Sequence, residues 1–574
     1  MCIRDRYLIA YGKLYRNDGA TTKGSTEETV DGMSLAKIDA IIAALRMERY
    51  RWTPVRRVYI EKKHSKKKRA LGLPTWSDKL LQEVIRLILD SYFDVQFSEH
   101  SHGFRPQRGC HTALQEIYET WAGTTWFLEG DISACFDSLS HDIVLDTLAE
   151  HIHDGRFLQL IRGLLKAGYM EDWTWKRTLS GAPQGSIIGP VLSNIYLSHL
   201  DSYVETTLIP AYTRGDRRKP HAAYSRLTSQ IQRKRKQGKT EEVKVLEKQR
   251  RELPSVDPYD PEYRRLRFCR YADDFLLGFI GPKEEAEEIK QQLRAFLQER
   301  LKLELSQTKT LITHARTETA KFLGYHISTF QRNDAYERSY YKRRVLNGKV
   351  ELALPKAVIQ EQCQRYMRGN KPIHRPEMEN DSVFTIISFY QSVYRGIAEY
   401  YRMAHNMYQL NKLKWIMETS LTKTLAAKLK LSVRQVYEKY HATLLVNHKS
   451  YKGLQTMIQR EGKKPLIAQW GGIPLQRRMG LPLDDALTPY WDARTELVQR
   501  LLADACELCG SHTDIEVHHI RALKDLKRYG RPEKPAWVKT MAARRRKTLV
   551  VCRSCHKDIH QGQPLKHHSH PNDV

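Results

Sequence analysis

The segment Tyr271-Ala272-Asp273-Asp274 sets two adjacent carboxylates between two apolar, strand-like runs, Arg267 to Arg270 and Phe275 to Phe279. Aspartate is depleted in strands and costly to bury without a partner, so an apolar hairpin carrying two of them needs turn exposure or cations. Alone, an Asp-Asp pair in a turn is usually just a turn. A third carboxylate changes the reading. Trp126-Phe-Leu128 is a short apolar strand that delivers Asp131 at its end, and Phe136 and Asp137 follow at a spacing that fits a strand leading into a helix. Three carboxylates from two strand ends are what a two-magnesium site requires. They are hard oxygen ligands able to hold two ions about 4 Å apart, one activating an attacking hydroxyl and one stabilising the leaving oxygen.

Charge says what such a site would act on. The 574 residues include 95 Lys and Arg against 66 Asp and Glu, a formal net charge of +29. Cations in that excess point to a polyanion, since neutralising phosphates releases condensed counterions. With 41% hydrophobic residues the chain is still globular, and its length allows three or four folding units at about 150 residues each. No apolar run reaches the roughly 18 residues needed to span a bilayer, which excludes a membrane-integrated chain. The nine cysteines are odd in number, and four of them sit in two Cys-x-x-Cys pairs, a usage that fits a reducing compartment rather than a disulfide framework. The opening Met-Cys-Ile-Arg-Asp-Arg runs straight into helix-like sequence, so a truncated start is expected. The expected location is cytoplasmic for a bacterial protein and organellar if a targeting segment has been lost.

Along the chain, residues 7 to 50 read as helices around the loop Asp18 to Thr22. The block Glu61 to Arg69 forms the charged tip of a β-hairpin between Val55 to Ile60 and Leu71 to Pro74. Leu80, Leu81, Val84, Ile85 and Ile88 recur at helical spacing within Ser77 to Phe93. Ala182 to Val204 passes from loop into helix. Arg214 to Pro254 loses apolar periodicity and reads as an inserted, charged helical excursion, equally consistent with RNA contact and with a solvated helix pair. Lys283 to Leu301 is an amphipathic helix. Helical periodicity dominates from Asp381 to about Ser450, with Ile386, Tyr390, Val393, Ile397 and Tyr401 in one core-facing stripe, and Gly471 to Leu475 marks a loop.

The pairs Cys506-Glu-Leu-Cys509 and Cys552-Arg-Ser-Cys555 can close a tetrahedral thiolate site around zinc with no open position, hence a structural one. His518-His519, His556 and His560 stand beside it, the last two one helical turn apart and so on the same face.

These blocks carry a resemblance. Asp131-Ile-Ser-Ala-Cys-Phe-Asp137, Ser180-Gly-Ala-Pro-Gln-Gly-Ser186 and Tyr271-Ala-Asp-Asp-Phe275 resemble, in order, the first three palm motifs of a reverse transcriptase. Leu305-Ser-Gln-Thr-Lys309 and Phe322-Leu-Gly-Tyr325 look like the two blocks that follow, the second being the primer grip. The resemblance implies that Asp131 and Asp273 ligate both magnesium ions, with Asp274 completing the acidic cluster. Phe136 would crowd a ribose 2′-OH, unless it is an ordinary core Phe. Gln184 and Gly185 would lie under nucleotide and template, with glycine allowing close backbone approach. Lys62, Lys63 and Arg69 fall where the fingers of such enzymes grip the triphosphate, and Lys309 is either a proton donor to pyrophosphate or a solvated surface lysine.

Ala20 to Gly24 with Val30-Asp-Gly32, Arg69 to Pro74 and His102-Gly-Phe-Arg-Pro106 are similar to blocks of group II intron reverse transcriptases. So is the excursion ending in Asp257 to Arg265. Tyr394 to Tyr401 and Ser420-Leu-Thr-Lys-Thr424 with Lys428 resemble the thumb, or maturase domain, that binds intron RNA. The C-terminal Cys and His pattern resembles an HNH nuclease. That implies His519 as general base and His518, His556 and His560 as ligands of a divalent cation, with the basic run Arg544 to Lys547 and Lys524 to Lys539 on DNA phosphates. The Asn that usually orients the base is Lys547 here.

The fold expected is thus α+β and multidomain: a right-hand polymerase of fingers and palm, an α-helical thumb (maturase) domain and a small zinc-bearing ββα-metal HNH domain. Residues 1–125 would form the N-terminal extension and fingers, and 126–330 the palm, with a charged insertion at about 205–265. Residues 331–450 would be the thumb, 451–503 a DNA-binding linker domain and 504–574 the endonuclease. The expected activities are RNA-directed DNA polymerisation, help in splicing, and target-DNA nicking for target-primed reverse transcription. The expected partners are group II intron RNA, target DNA and dNTPs, with no membrane and a homodimer allowed. The alternatives are a splicing-only maturase and a reverse transcriptase of another retroelement class.

Overall fold

The computed structural model describes residues 3–61, 68–172, 174–176, 181, 185–257, 260–330, 348–460, 463–479, 496–521, 535, 537–538, 540–541 and 547–562. Helices Ile3–Leu14 and Leu35–Arg46 open the chain, the second capped by Ser34, whose hydroxyl accepts from Lys37 N. Strands β1 (Val55–Glu61) and β2 (Lys68–Leu73) form the expected antiparallel hairpin, with Ile60 opposite Arg69. Helix Trp76–Phe93 follows its Thr75 cap. Leu80, Leu81, Val84 and Ile85 are buried as their spacing predicts, whereas Ile88 is 48% exposed because it lies at the edge of the apolar stripe.

Strand β3 (Trp126–Asp131) enters the palm. β4 (Tyr169–Glu171) runs parallel to β1, and β5 (Thr174–Lys176) closes the fingers sheet in the order β2-β1-β4-β5. The charged excursion is a helix pair, Ala222–Lys236 and Thr240–Glu252, packed through Ile231 and Val243 and cross-linked by Lys234–Glu242 and Arg235–Glu247 ion pairs. Strands β6 (Arg265–Tyr271), β7 (Asp274–Ile280) and β8 (Leu311–His314) complete an antiparallel palm sheet ordered β6-β7-β3-β8. β7 is almost wholly buried, which is why it reads as a continuous apolar run rather than an alternating one. β9 (Ala320–Phe322), β10 (Tyr325–Thr329) and β11 (Val350–Ala353) form a small sheet leading to the thumb.

The thumb helices are Val383–Tyr400, Leu410–Leu429 and Val433–Tyr440, the last opened by a Ser432/Gln435 capping box. Helix ends at Tyr440, not near Ser450. β12 (His441–Val446), β13 (Lys449–Arg460) and β14 (Lys463–Trp470) then form a three-stranded sheet. The boundary drawn between 450 and 451 therefore falls inside β13. The strands belong with the thumb because Trp470 is fully buried against Tyr394, ring centroids 5.6 Å apart. At the C-terminal end, β15 (Ile515–His519), β16 (Thr548–Cys552) and helix Arg553–Gln561 make the expected ββα unit.

Two hydrophobic clusters organise the chain. One joins the back of the palm to the thumb, and the other runs from the N-terminal helices through the fingers and palm into the nuclease unit. Val517 and Ile559 of the ββα unit lie in the same cluster as Tyr11 and Met33. No helix among the described residues is long and apolar enough to cross a membrane.

Candidate functional site

The palm site follows from strand register. β3 and β7 are antiparallel neighbours, and their register places Asp131 directly opposite Asp274. Asp273 occupies the turn between β6 and β7, next to Ala272, whose φ of +57° is the left-handed conformation that lets the turn stay tight. Burial first, and then repulsion from Asp131, raises the Asp273 carboxyl, while Arg69 and Lys309 pull it back. Asp274 is pushed up to about 6 by burial and by the charges of Asp273 and Asp131. Partly buried acids that raise one another in this way are a donor set that fits hard divalent cations.

Lys309 sits on Asp131, its Nζ 3.0 and 2.9 Å from the two carboxylate oxygens. Its place is fixed by the chain beside β3, where Ser306 N donates to Asp131 O at 2.9 Å and Ser133 N to Glu304 O at 2.8 Å. Lys309 thus bonds to the acidic site while its side chain stays 66% exposed. Phe136 is half-buried, its ring edge-on to Phe104 at 6.4 Å, and Phe104 also faces Tyr271 at 6.4 Å. Gly185 has φ +99°, and a Cβ there would lie 2.8 Å from Gly72 O, so its close backbone approach is to the fingers strand β2. Lys62, Lys63 and Gln184 lie outside the described residues.

Beneath the turn is a buried ion pair that sequence reasoning missed. Arg270 grips Asp201 with two bonds of 2.6 Å, and the two side chains are 0% and 2% exposed. Its remaining donor reaches Asn194 Oδ1 at 3.2 Å and Ala272 O at 2.9 Å. Asn194 in turn donates to Gly103 O at 2.8 Å, and His102 N to Arg270 O at 2.9 Å. The helix Gly189–Tyr203 and the loop around 103 thus clamp the turn that carries Asp273. A Cβ on Gly103 would stand 2.3 Å from Ala272 N.

The primer-grip turn is tied to the thumb. Tyr400 Oη donates to Leu323 O at 2.8 Å and Tyr401 Oη to Gly324 O at 3.3 Å. The block Ser420 to Thr424 has an internal role. Ser420, Thr422 and Thr424 are buried, Lys423 caps Pro372 O at 2.8 Å, and Lys428 caps Glu379 O at 2.8 Å. These lysines also tie the helix to its own domain.

In the nuclease unit, Cys506, Cys509, Cys552 and Cys555 bring four sulfurs within 4.8 Å of one another. Burial opposes ionisation of Cys506, but backbone N–H groups of Cys509, Cys552 and Leu508 pull it down, the environment of a thiolate ligand. His518, His556 and His560 converge as expected, and Asp31, from the N-terminal block, joins them with all donor atoms within 4.8 Å. Burial would raise Asp31, but the imidazoles of His518 and His556 and the N–H of His519 hold it well below the usual carboxylate range. His556 Nδ1 lies 2.8 Å from Glu516 Oε2, which turns Nε2 toward the cluster. His519 is held by Val517 O (3.2 Å from Nδ1) and Tyr11 Oη (3.3 Å from Nε2), and burial takes it down to about 4, a neutral imidazole able to accept a proton. Among the described residues, Lys547 offers its carbonyl to Ile520 N at 3.0 Å. Asp31 escaped sequence reasoning because its one signal was membership of the Val30-Asp-Gly32 block.

Comparison with known proteins agrees with this architecture. A reverse transcriptase (RNA-dependent DNA polymerase) family model matches residues 60–327, a type II intron maturase model 354–466, and an AI2M/AI1M-like HNH endonuclease model 506–556. Fold and site thus define an RNA-directed DNA polymerase joined to a maturase domain and an HNH endonuclease domain. The group II intron-encoded protein LtrA of Lactococcus lactis subsp. cremoris is 38% identical over 97% of this chain and 94% of its own length. The putative COX1/OXI3 intron 1 protein of Saccharomyces cerevisiae is 30% identical over 97% of this chain and 68% of its own. The chain belongs to the group II intron-encoded proteins.

Proposed function

We propose that Asp131, Asp273 and Asp274 form the polymerising centre that copies intron RNA into DNA. Two magnesium ions held by Asp131 and Asp273, with Asp274 alongside, would supply the activation of a primer 3′-OH and the neutralisation of the leaving pyrophosphate. The chain's own part is positioning. The Arg270 clamp fixes the turn, the register of β3 and β7 sets the acids opposite one another, and Arg69 with Lys62 and Lys63 supplies cations for the triphosphate of a dNTP. Gln184 and Gly185 support nucleotide and template. Phe136, with Phe104 edge-on to it, walls the sugar side of the site and favours deoxynucleotides. Lys309, bonded to Asp131, would be the proton donor to pyrophosphate. The observation that carries this reading is the Asp131–Asp274 register pair with Asp273 at the adjoining turn.

At the other end, His519 would take a proton from water while one divalent cation on His518, His556 and His560 would polarise the scissile phosphate. The four cysteines would hold a structural zinc. The thumb and the sheet β12–β14 would bind intron RNA by shape and phosphate, and the segment to about 503 would lead toward target DNA. Splicing assistance, nicking and copying from the freed 3′ end would then follow in one ribonucleoprotein. Asp273→Ala with Asp274→Ala tests the reading on a primed RNA template. DNA synthesis should vanish while binding of the intron RNA persists, and loss of both would indicate a collapsed palm instead.

A further inference from the structure

We propose that Asp31 is a metal ligand that, with His518, His556 and His560, closes a four-donor site for one divalent transition ion and so latches the nuclease unit shut against the N-terminal block. This inference rests on the HNH reading of residues 506–562. Asp31 Oδ2 lies 2.8 Å from His560 Nε2, Asp31 Oδ1 lies 3.3 Å from His556 Nε2, and the two Nε2 atoms are 3.2 Å apart. Two imidazole nitrogens that close, facing one carboxylate, make a pocket for a cation. His518 strengthens the case. It is 4% exposed, both its ring nitrogens lack a hydrogen-bond partner, and Asp31 Oδ1 is 3.5 Å from Nδ1. A buried imidazole whose only polar neighbour is a carboxylate at the limit of hydrogen-bond distance is costly, and a metal between the two would satisfy both.

Asp31 is held there by backbone rather than by a mobile arm. Gly32 N donates to Val517 O at 3.0 Å, Val517 N to Met33 O at 2.9 Å, and His519 N to Asp31 Oδ1 at 2.7 Å, so the segment pairs with the free edge of β15. Met33 is fully buried, and Trp76 Nε1 points at its sulfur from 3.3 Å.

The geometry also points to closure. A catalytic ion keeps an open position for substrate, with three protein ligands, whereas four protein donors make a closed tetrahedron. With Asp31 as the fourth donor, a tetrahedral ion would keep no position for a phosphate oxygen. His519 is equally shut in, 9% exposed, with its Nε2 against the Tyr11 hydroxyl and the rings of Tyr11 and Tyr15 at 6.2 and 6.3 Å. DNA reaches His519 only when the segment around Asp31 withdraws from β15. The nuclease is thus held inactive by the same N-terminal block that packs on the fingers.

The test uses the full chain with its cysteine site zinc-loaded, and nickel(II) as the probe, because imidazole suits nickel better than the palm carboxylates do. Asp31→Asn, equal in size, should weaken nickel binding in calorimetry at least about tenfold. It should abolish nickel-induced protection of amides 30–33 and 515–519 from hydrogen exchange. It should also raise the rate of duplex-DNA nicking severalfold, with DNA synthesis on a primed template unchanged as the check on folding. Unchanged nickel affinity would overturn the proposal, leaving Asp31 as a hydrogen-bond acceptor for protonated histidines. Weakened nickel binding with nicking lost would overturn it too, making Asp31 a ligand that cleavage requires. His560→Ala should lose both nickel binding and nicking. Nicking that survives in that variant would remove the HNH reading itself, a failure separate from that of the latch.

Discussion

The palm and the nuclease unit both gather side chains that could hold metal, but they do so by opposite routes. In the palm, neighbouring strands of one sheet bring the acids together, and a single register decides that Asp131 faces Asp274. In the nuclease, the ββα unit supplies three histidines, and the fourth donor comes from a residue 529 positions away from His560. The two sets also differ in tightness. Among the described residues, the nuclease donors form a mutual cluster within 4.8 Å, as do the four thiols, whereas the palm carboxylates do not and one of them is held by Lys309. A loose acidic set suits two ions and a moving triphosphate, and a tight imidazole set suits one ion held still.

The independence of the two sites can be broken by experiment, the largest effect first. Asp273→Ala with Asp274→Ala should reduce DNA synthesis at least about a thousandfold and leave nicking untouched, as primer extension and plasmid nicking on the same preparation would show. His519→Ala should lower nicking by about 10²- to 10⁴-fold while copying proceeds, since a general base contributes on that order. Undiminished nicking would reject His519 as the base.

Two further predictions sharpen the contrast between a site held by a sheet and one held between distant segments. Arg270→Ala should cost about 3–5 kcal/mol in denaturant unfolding, because it strands Asp201 as a buried, unpaired charge. It should also slow synthesis, since the turn beneath Asp273 loses its clamp. The smallest effect is a pH signature in metal-free protein. The Asp274 carboxyl titrates near 6 in the folded chain, against about 4 unfolded. The native state therefore holds the proton more tightly. The stability this contributes is full below about pH 4 and is lost as pH rises through about 6. Asp274→Asn should flatten that decline, raising the melting temperature above pH 6 by about 2–4 °C. A melting curve with the same pH dependence in both proteins would show that Asp274 does not titrate this way.

How much of this was legible in the sequence follows from how far apart the partners are. The hairpin at 271–274, the strand ending at Asp131, the charged helix pair and the two Cys-x-x-Cys pairs all declare themselves over a few residues, through periodicity or ligand spacing. The histidines at 556 and 560 share a helix face for the same reason. Asp31 carries no local mark, since a carboxylate in a turn is ordinary until β15 arrives beside it. Arg270 and Asp201 look like separate surface charges until helix and strand cross. The lysines at 423 and 428 have a second role that only the folded thumb shows, their ammonium groups bonded to Pro372 and Glu379 carbonyls. The strands after Tyr440 were hidden because their alternating pattern follows directly on helical sequence, with no strong break between them.

Position 103 shows what close contact of main chains implies for tolerance to change. A methyl group there would meet the amide nitrogen of Ala272 at 2.3 Å, with no flexible side-chain end to yield. Gly103→Ala would therefore push the loop and the turn apart and swing Asp273 off its mark, although residue 103 has no side chain to take part in chemistry. The tolerance of the copying centre is gauged by a hydrogen atom, and the residue least equipped for catalysis is among those least free to vary.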